Sequence, residues 1–129
     1  MDKKEKKAFS LIARFGSIKH AVRGIYICIK NTHNAWVEIF ISFVLIILGC
    51  AFALSENEWL SLIIVLFVLL IAEAFNTAME VHMDLTSPAF HPFARDTKDI
   101  AAGAVFISAL LTLVVSIIIF VPKILLLMK

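Results

Sequence analysis

The sequence predicts an all-α integral membrane protein, with an N-terminal amphipathic surface helix followed by three transmembrane helices. Two observations carry that expectation. Hydrophobic residues make up 61% of the 129 and mean hydropathy is +0.96, whereas soluble domains hold about 45–50% apolar residues. The excess lies in long runs, and the basic residues lie outside those runs, mostly ahead of the first one.

No internal repeat, low-complexity tract or linker divides the chain, so residues 1–129 read as one domain. The formal net charge of +2 gives no sign of a nucleic-acid partner. The basic start, MDKKEKKAFSLIARFG, leads into no apolar core of about 7–15 residues and so does not read as a cleaved signal peptide. Cys28 and Cys50 have no CxxC spacing and read as small buried hydrophobes.

The first helix is expected over residues 8–30. Phe15, Ile18, Val22, Ile25 and Ile29 recur at spacings of three and four, with Arg14, Lys19, Arg23 and Lys30 interleaved. A basic amphipathic helix of this kind suits an anionic membrane surface. Residues 35–54, with Glu38 as their one charge, are long enough for a first span. Ser55-Glu56-Asn57-Glu58 breaks the pattern. The second span is expected over about 59–83, because the apolar stretch 59–72 is too short to cross alone and must continue through EAFNTAMEVHMD. Pro88 and Pro92 mark 85–95 as a loop. The third span, about 97–121, carries no charge over 100–121 and is expected to stop at Pro122.

Lys3, Lys4, Lys6, Lys7, Arg14, Lys19, Arg23 and Lys30 all precede the first span, and Arg95 and Lys98 follow the second. The positive-inside rule then places the N-terminus and the 84–98 loop in the cytoplasm. Trp36 and Trp59 lie near span ends, as interfacial anchors do.

The second span carries an unusual stripe. Glu73, Asn76, Thr77, Glu80 and Asp84 follow at spacings of 3, 1, 3 and 4, which gathers them on one helical face. From Glu73 to Glu80 the helix rises about 10 Å. Ionisable groups at the centre of a span cost roughly 2.5–3.5 kcal/mol each. Three readings fit such a column: a metal and phosphoryl-transfer site, a proton or ion path, or polar glue between helices. The 84–98 loop adds His91, Arg95, Asp96, Lys98 and Asp99. Carboxylates able to hold Mg²⁺ and cations able to meet phosphate favour the first reading, although a topology signal would look the same. Gly16, Gly24, Gly49 and Gly103 form no glycine-rich phosphate cradle, so a nucleotide site here must be built from helix side chains and a metal. His20, His33, His82 and His91 show no metal-ligand spacing.

Segment 73–108, EAFNTAMEVHMDLTSPAFHPFARDTKDIAAGAVFIS, resembles the prokaryotic-type diacylglycerol kinase and undecaprenol kinase family. The family pattern runs E-x-x-N-[ST]-A-x-E-x-x-x-D, a short loop with His, then K-D and a small-residue helix, and every position is filled. Upstream, SIKHAVRGIYICIKN is similar to the family's surface helix, with its glycine and its terminal Asn31. The resemblance covers nearly the whole chain. It implies a homotrimer in a bacterial cell membrane, a membrane lipid alcohol as acceptor, and ATP with Mg²⁺ as donor. It implies Glu73 as general base and Glu80 as a metal ligand that also serves ATP. Asn76, Thr77, Asp84 and Asn31 would support the site, with Lys98, Asp99, His91 and His20 toward ATP. The run HPFARDTKDIAAGAVF is closer to the undecaprenol branch than to the diacylglycerol branch. One departure stands out: the family usually has a metal-binding glutamate after the Asn, and here that residue is Thr32. A hydroxyl is a weaker Mg²⁺ ligand than a carboxylate, and Glu38 or water is expected to fill the gap.

Overall fold

The computed structural model describes residues 11–128, and these form four helices: α1 (Leu11–Asn31), α2 (His33–Ala51), α3 (Glu56–Thr86) and α4 (Pro92–Leu127). Residues 8–10 of the expected surface helix lie outside the described residues. α2, α3 and α4 are each long and apolar enough to cross a membrane. α3 continues three residues beyond the expected 83, so the stripe residues Glu73 to Asp84 all lie on uninterrupted helix.

Local chemistry sets each helix end. α1 passes into α2 through a single extended residue, Thr32 (φ −115°, ψ 123°). α2 ends in a Schellman arrangement. The Leu54 N–H reaches the Gly49 carbonyl at 3.2 Å, the Ala53 N–H reaches Cys50 at 3.3 Å, and Ala53 takes φ 47°. A Cβ is disfavoured there by roughly 1–2 kcal/mol, partly offset by the extra freedom glycine gives the unfolded chain. Ala53→Gly should therefore raise stability by about 0.5–1 kcal/mol, read as a higher unfolding temperature in detergent; a lower one would contradict the strain.

Across the tight turn, the Ser55 N–H and hydroxyl donate to Glu58 Oε2 at 2.7 and 2.9 Å. This carboxylate closes the first turn of α3 as a capping-box glutamate does. Lys123 of α4 joins the same oxygen at 3.1 Å. At the other end, Ser87 N–H caps Met83 at 2.8 Å, and α4 starts with Pro92 in its first turn, where a missing N–H costs nothing.

The expectation that Pro122 ends the last helix is corrected. α4 runs through it to Leu127. Proline removes one backbone donor, but in an apolar helix of this kind neighbouring helices can compensate the freed groups, so the helix is tolerated through it. The Lys123–Glu58 pair ties down the turn that follows.

The loop between α3 and α4, residues 87–91, is short enough to force them antiparallel, and they pack together more extensively than any other pair. Thr112 Oγ1 contributes a cross-helix bond to the Val65 carbonyl at 3.4 Å. The interior is divided along the bundle axis. The α2–α3 turn end holds an apolar core of Leu54, Leu62, Leu66, Ile119 and Phe120, with Phe52 meeting Phe120 edge-on at 5.9 Å. The other half encloses Glu38, Glu73, Asn76 and Thr77. Gly49 permits close approach at the apolar end: a Cβ there would sit 2.7 Å from Trp59 Cη2 and 3.1 Å from Leu54 Cδ1. Gly49→Ala should destabilise the protein by about 1–3 kcal/mol, and an unchanged unfolding temperature would refute this contact.

Candidate active site

The polar half of the interior forms where α3 meets the α1–α2 junction. Glu73 faces inward because its helix must bury one stripe, and that stripe changes from leucine to acid and amide at residue 73. Leu62, Leu66 and Leu69 precede Glu73, Asn76 and Thr77 on the buried face. Glu73 is 1% exposed, and both of its carboxylate oxygens lack a hydrogen-bond donor. Glu38, from α2, is 8% exposed, with Oε2 also without a donor, and it lies within electrostatic reach of Glu73. Glu80 is likewise close enough to Glu73 to repel it. Asn76 bridges outward, its Nδ2 donating to Glu80 Oε1 at 3.4 Å while its Oδ1 stays buried and unpaired.

Two hydroxyls close off this region. Thr32 Oγ1 lies near the Glu73 carboxylate but donates to the Cys28 carbonyl at 2.6 Å. Thr77 Oγ1 donates to the Glu73 carbonyl at 3.0 Å. The two oxygens are 3.2 Å apart, and the Cys28 thiol lies 3.4 Å from Thr77. Each hydroxyl has one proton, already committed to backbone, so neither is left for the carboxylate.

A second tier lies nearer the α3–α4 loop. Lys98 pairs with Asp84, and Arg95 pairs with Asp99 at 3.9 Å and with Asp96 at 3.6 Å. These pairs are solvent-accessible, hence individually weak and open to exchange for other anions. Asp84, His91, Arg95 and Lys98 share a cleft of about 270 Å³ under the loop. The structure thus brings Glu73, Asn76, Thr77, Glu80, Glu38 and Thr32 into one group, and Asp84 and Lys98 into another. His20 and Asn31 are exposed on α1, and His20 lies about 12 Å along the helix from Cys28.

Sequence reasoning missed Cys28, read there as an inert hydrophobe. It is half-buried against the site hydroxyls, and its place four residues before Thr32, one helical turn, is the signal that could have found it. Ser42, one turn beyond Glu38 on the same face and also buried without a partner, was missed for the same reason.

Four buried oxygens without donors form a poor environment for a structural core, but they suit a hard divalent cation, which takes oxygen ligands. Among the described residues, no three His, Cys, Asp or Glu side chains gather into a complete metal cluster. A cation bound here would have one or two carboxylates from the chain and would need further oxygens from elsewhere, as Mg²⁺ takes from phosphates in phosphoryl-transfer enzymes.

A bundle of apolar, membrane-length helices with buried acids and a cationic rim carries the groups that phosphoryl transfer at a membrane would need. Residues 19–120 match the family described as prokaryotic diacylglycerol kinase, and the chain belongs to that family. It is a kinase acting on a lipid alcohol by ATP-dependent phosphoryl transfer. It is 33% identical over 109 residues to the undecaprenol kinase of Bacillus subtilis (strain 168), covering 84% of this chain and 89% of the relative. It is 28% identical over 103 residues to the diacylglycerol kinase of Helicobacter pylori (strain ATCC 700392 / 26695), covering 74% and 80%. Against the diacylglycerol kinase of Helicobacter pylori (strain J99 / ATCC 700824), identity is 34% over 103 residues. No solved structure matches the chain.

Proposed function

We propose that the protein phosphorylates undecaprenol, with Glu73 as the general base. The observation that carries the base is the burial of Glu73 with both oxygens unpaired. A carboxylate with no donor of its own is free to accept the proton of an incoming hydroxyl. The lipid oxygen then bonds to the γ-phosphorus, the bond from that phosphorus to the β–γ bridging oxygen breaks, and ADP leaves. In this reading Glu80 holds the cation, which when bound neutralises charge on the phosphates. Asn76 fixes the Glu80 carboxylate through its amide. Lys98 releases Asp84 to meet phosphate, with Arg95, Asp99 and His91 beside it at the nucleotide end. The N-terminus and the 84–98 loop face the cytoplasm, where ATP is found, α1 lies on the membrane surface, and the chain assembles as a trimer.

The acceptor is argued from shape. An apolar groove of about 410 Å³ runs between α3 and α4, walled by Ala72, Phe75, Met79, Ile100, Ala101 and Ala104, with Asn76 in its lining. A groove floored by small residues leads one prenyl chain to a point one turn from Glu73; the two acyl chains of diacylglycerol would need a second path. The match to the Bacillus subtilis undecaprenol kinase also spans more of that relative, 89%, than the 80% spanned of either diacylglycerol kinase. The test is phosphate incorporation by purified protein from labelled ATP, with undecaprenol and diacylglycerol compared, with and without Mg²⁺. Incorporation into undecaprenol that requires Mg²⁺ is expected. A clear preference for diacylglycerol would overturn the acceptor, and incorporation into neither would overturn the reading.

A further inference from the structure

The oxygens around Glu73 pose an electrostatic problem that the protein does not solve with its own cations. Among the described residues, neither Glu38 nor Glu73 takes part in an ion pair, since those present involve Asp84, Asp96, Asp99 and Glu58. Both carboxylates are more than nine-tenths buried, and Glu38 Oε2, both Glu73 oxygens and Asn76 Oδ1 are all acceptors without donors. Neighbouring carboxylates in a dry interior cannot both keep their charge unless they share a proton or a cation binds them.

The position of Glu38 gives it a purpose. Thr32 and Glu38 are six residues apart, about 9 Å of rise along the start of α2, and both lie close to the Glu73 carboxylate. They flank it. Thr32 donates its proton to the Cys28 carbonyl at 2.6 Å and can offer a dication only a neutral oxygen, not the negative charge a carboxylate brings. Its hydroxyl instead caps the last turn of α1 and packs 3.2 Å from Thr77 Oγ1 of α3.

We propose that Glu38 is a divalent-cation ligand of this chain, supplying from α2 the carboxylate that position 32 does not provide. The proposal rests on the kinase reading above, in that the cation is the one that accompanies the nucleotide. Asn76 Oδ1, one turn from Glu73 and unpaired, provides a further neutral oxygen of the type such ions accept. Positions 32 and 38 both lie near Glu73, so a carboxylate at either one can address the same ion.

The test measures Mn²⁺ binding by electron paramagnetic resonance on the full chain in lipid nanodiscs, without nucleotide. The parent should bind Mn²⁺, Glu38→Gln should bind at least about tenfold more weakly, and Glu38→Asp should keep most of the affinity. Adding Thr32→Glu to Glu38→Gln should restore binding by placing the charge on the other flank. The Glu38→Asp protein guards against a folding defect in the amide variant. Mn²⁺ binding by Glu38→Gln within twofold of the parent, or none by the parent, would overturn the site and leave Glu38 as polar glue between α2 and α3. Lipid phosphorylation measured on the same samples separates the two proposals. An active kinase whose Mn²⁺ affinity ignores Glu38 ends this inference alone. Glu38-dependent Mn²⁺ binding in a protein that phosphorylates neither undecaprenol nor diacylglycerol ends the kinase assignment and leaves the cation site standing.

Discussion

Glu73→Gln is expected to abolish lipid phosphorylation, lowering kcat by about 10²–10⁴-fold, while the protein unfolds at the same temperature or a higher one. The two halves of that result have one cause. Glutamine keeps the shape of the side chain, so the packing around a residue 1% exposed is preserved. It removes a carboxylate whose two oxygens have no donor and which faces further acids at Glu38 and Glu80. A charge held in this way is unfavourable for folding, so its loss costs no stability. It costs the reaction its proton acceptor. Denaturation midpoint and initial rate, measured on one preparation, check both halves together. Retained turnover would remove Glu73 from the chemistry, and a large fall in unfolding temperature would make it a structural residue.

Glu80→Gln should act through the cation. Glu80 is only half-buried and accepts a long 3.4 Å bond from Asn76, so the substitution disturbs little of the fold. The Mg²⁺ concentration needed for half-maximal rate should rise by at least about 10–100-fold, a range already seen when partners of metal ligands are removed. Part of the loss should be recovered at high Mg²⁺. The Glu73 variant should show no such recovery. A Glu80→Gln enzyme with an unchanged Mg²⁺ requirement and a depressed kcat would exchange the roles proposed for the two residues.

The stripe itself was legible because a helix converts spacing into direction. Glu73, Asn76, Thr77, Glu80 and Asp84 share a face whatever packs against them, and α3 carries them without a break. The pairing of Lys98 with Asp84 was half legible, since the two flank a short loop. Proximity between helices was not legible. Nothing in the spacing of α2 says that Glu38 meets Glu73, because that depends on how α2 leans on α3. The role of Cys28 was hidden for the same reason: its partner, Thr77, is 49 residues away. Pro122 misled because a rule for water-exposed helices was applied where the backbone has no water to bond. The family pattern set the expectation of a carboxylate at position 32, and the structure shows what Thr32 does with its hydroxyl instead.

The depth of Glu73 bears on the traffic of substrate and product. Eleven residues separate it from Asp84, about 16 Å along α3, and the interior changes over that distance from donor-free acid to the accessible Asp84–Lys98 pair. In the proposed reaction an uncharged alcohol reaches the acidic end of this gradient through the apolar α3–α4 groove, and a phosphate monoester, carrying up to two negative charges, must leave it. Once the nucleotide and its cation have left, the acids at Glu38, Glu73 and Glu80 repel the second, and Lys98 and Arg95 stand at the nucleotide end. Charge acquired in the reaction thus drives the product away from the place where it was made. Product release in the proposed reaction would then be favoured by the charge distribution of the interior itself.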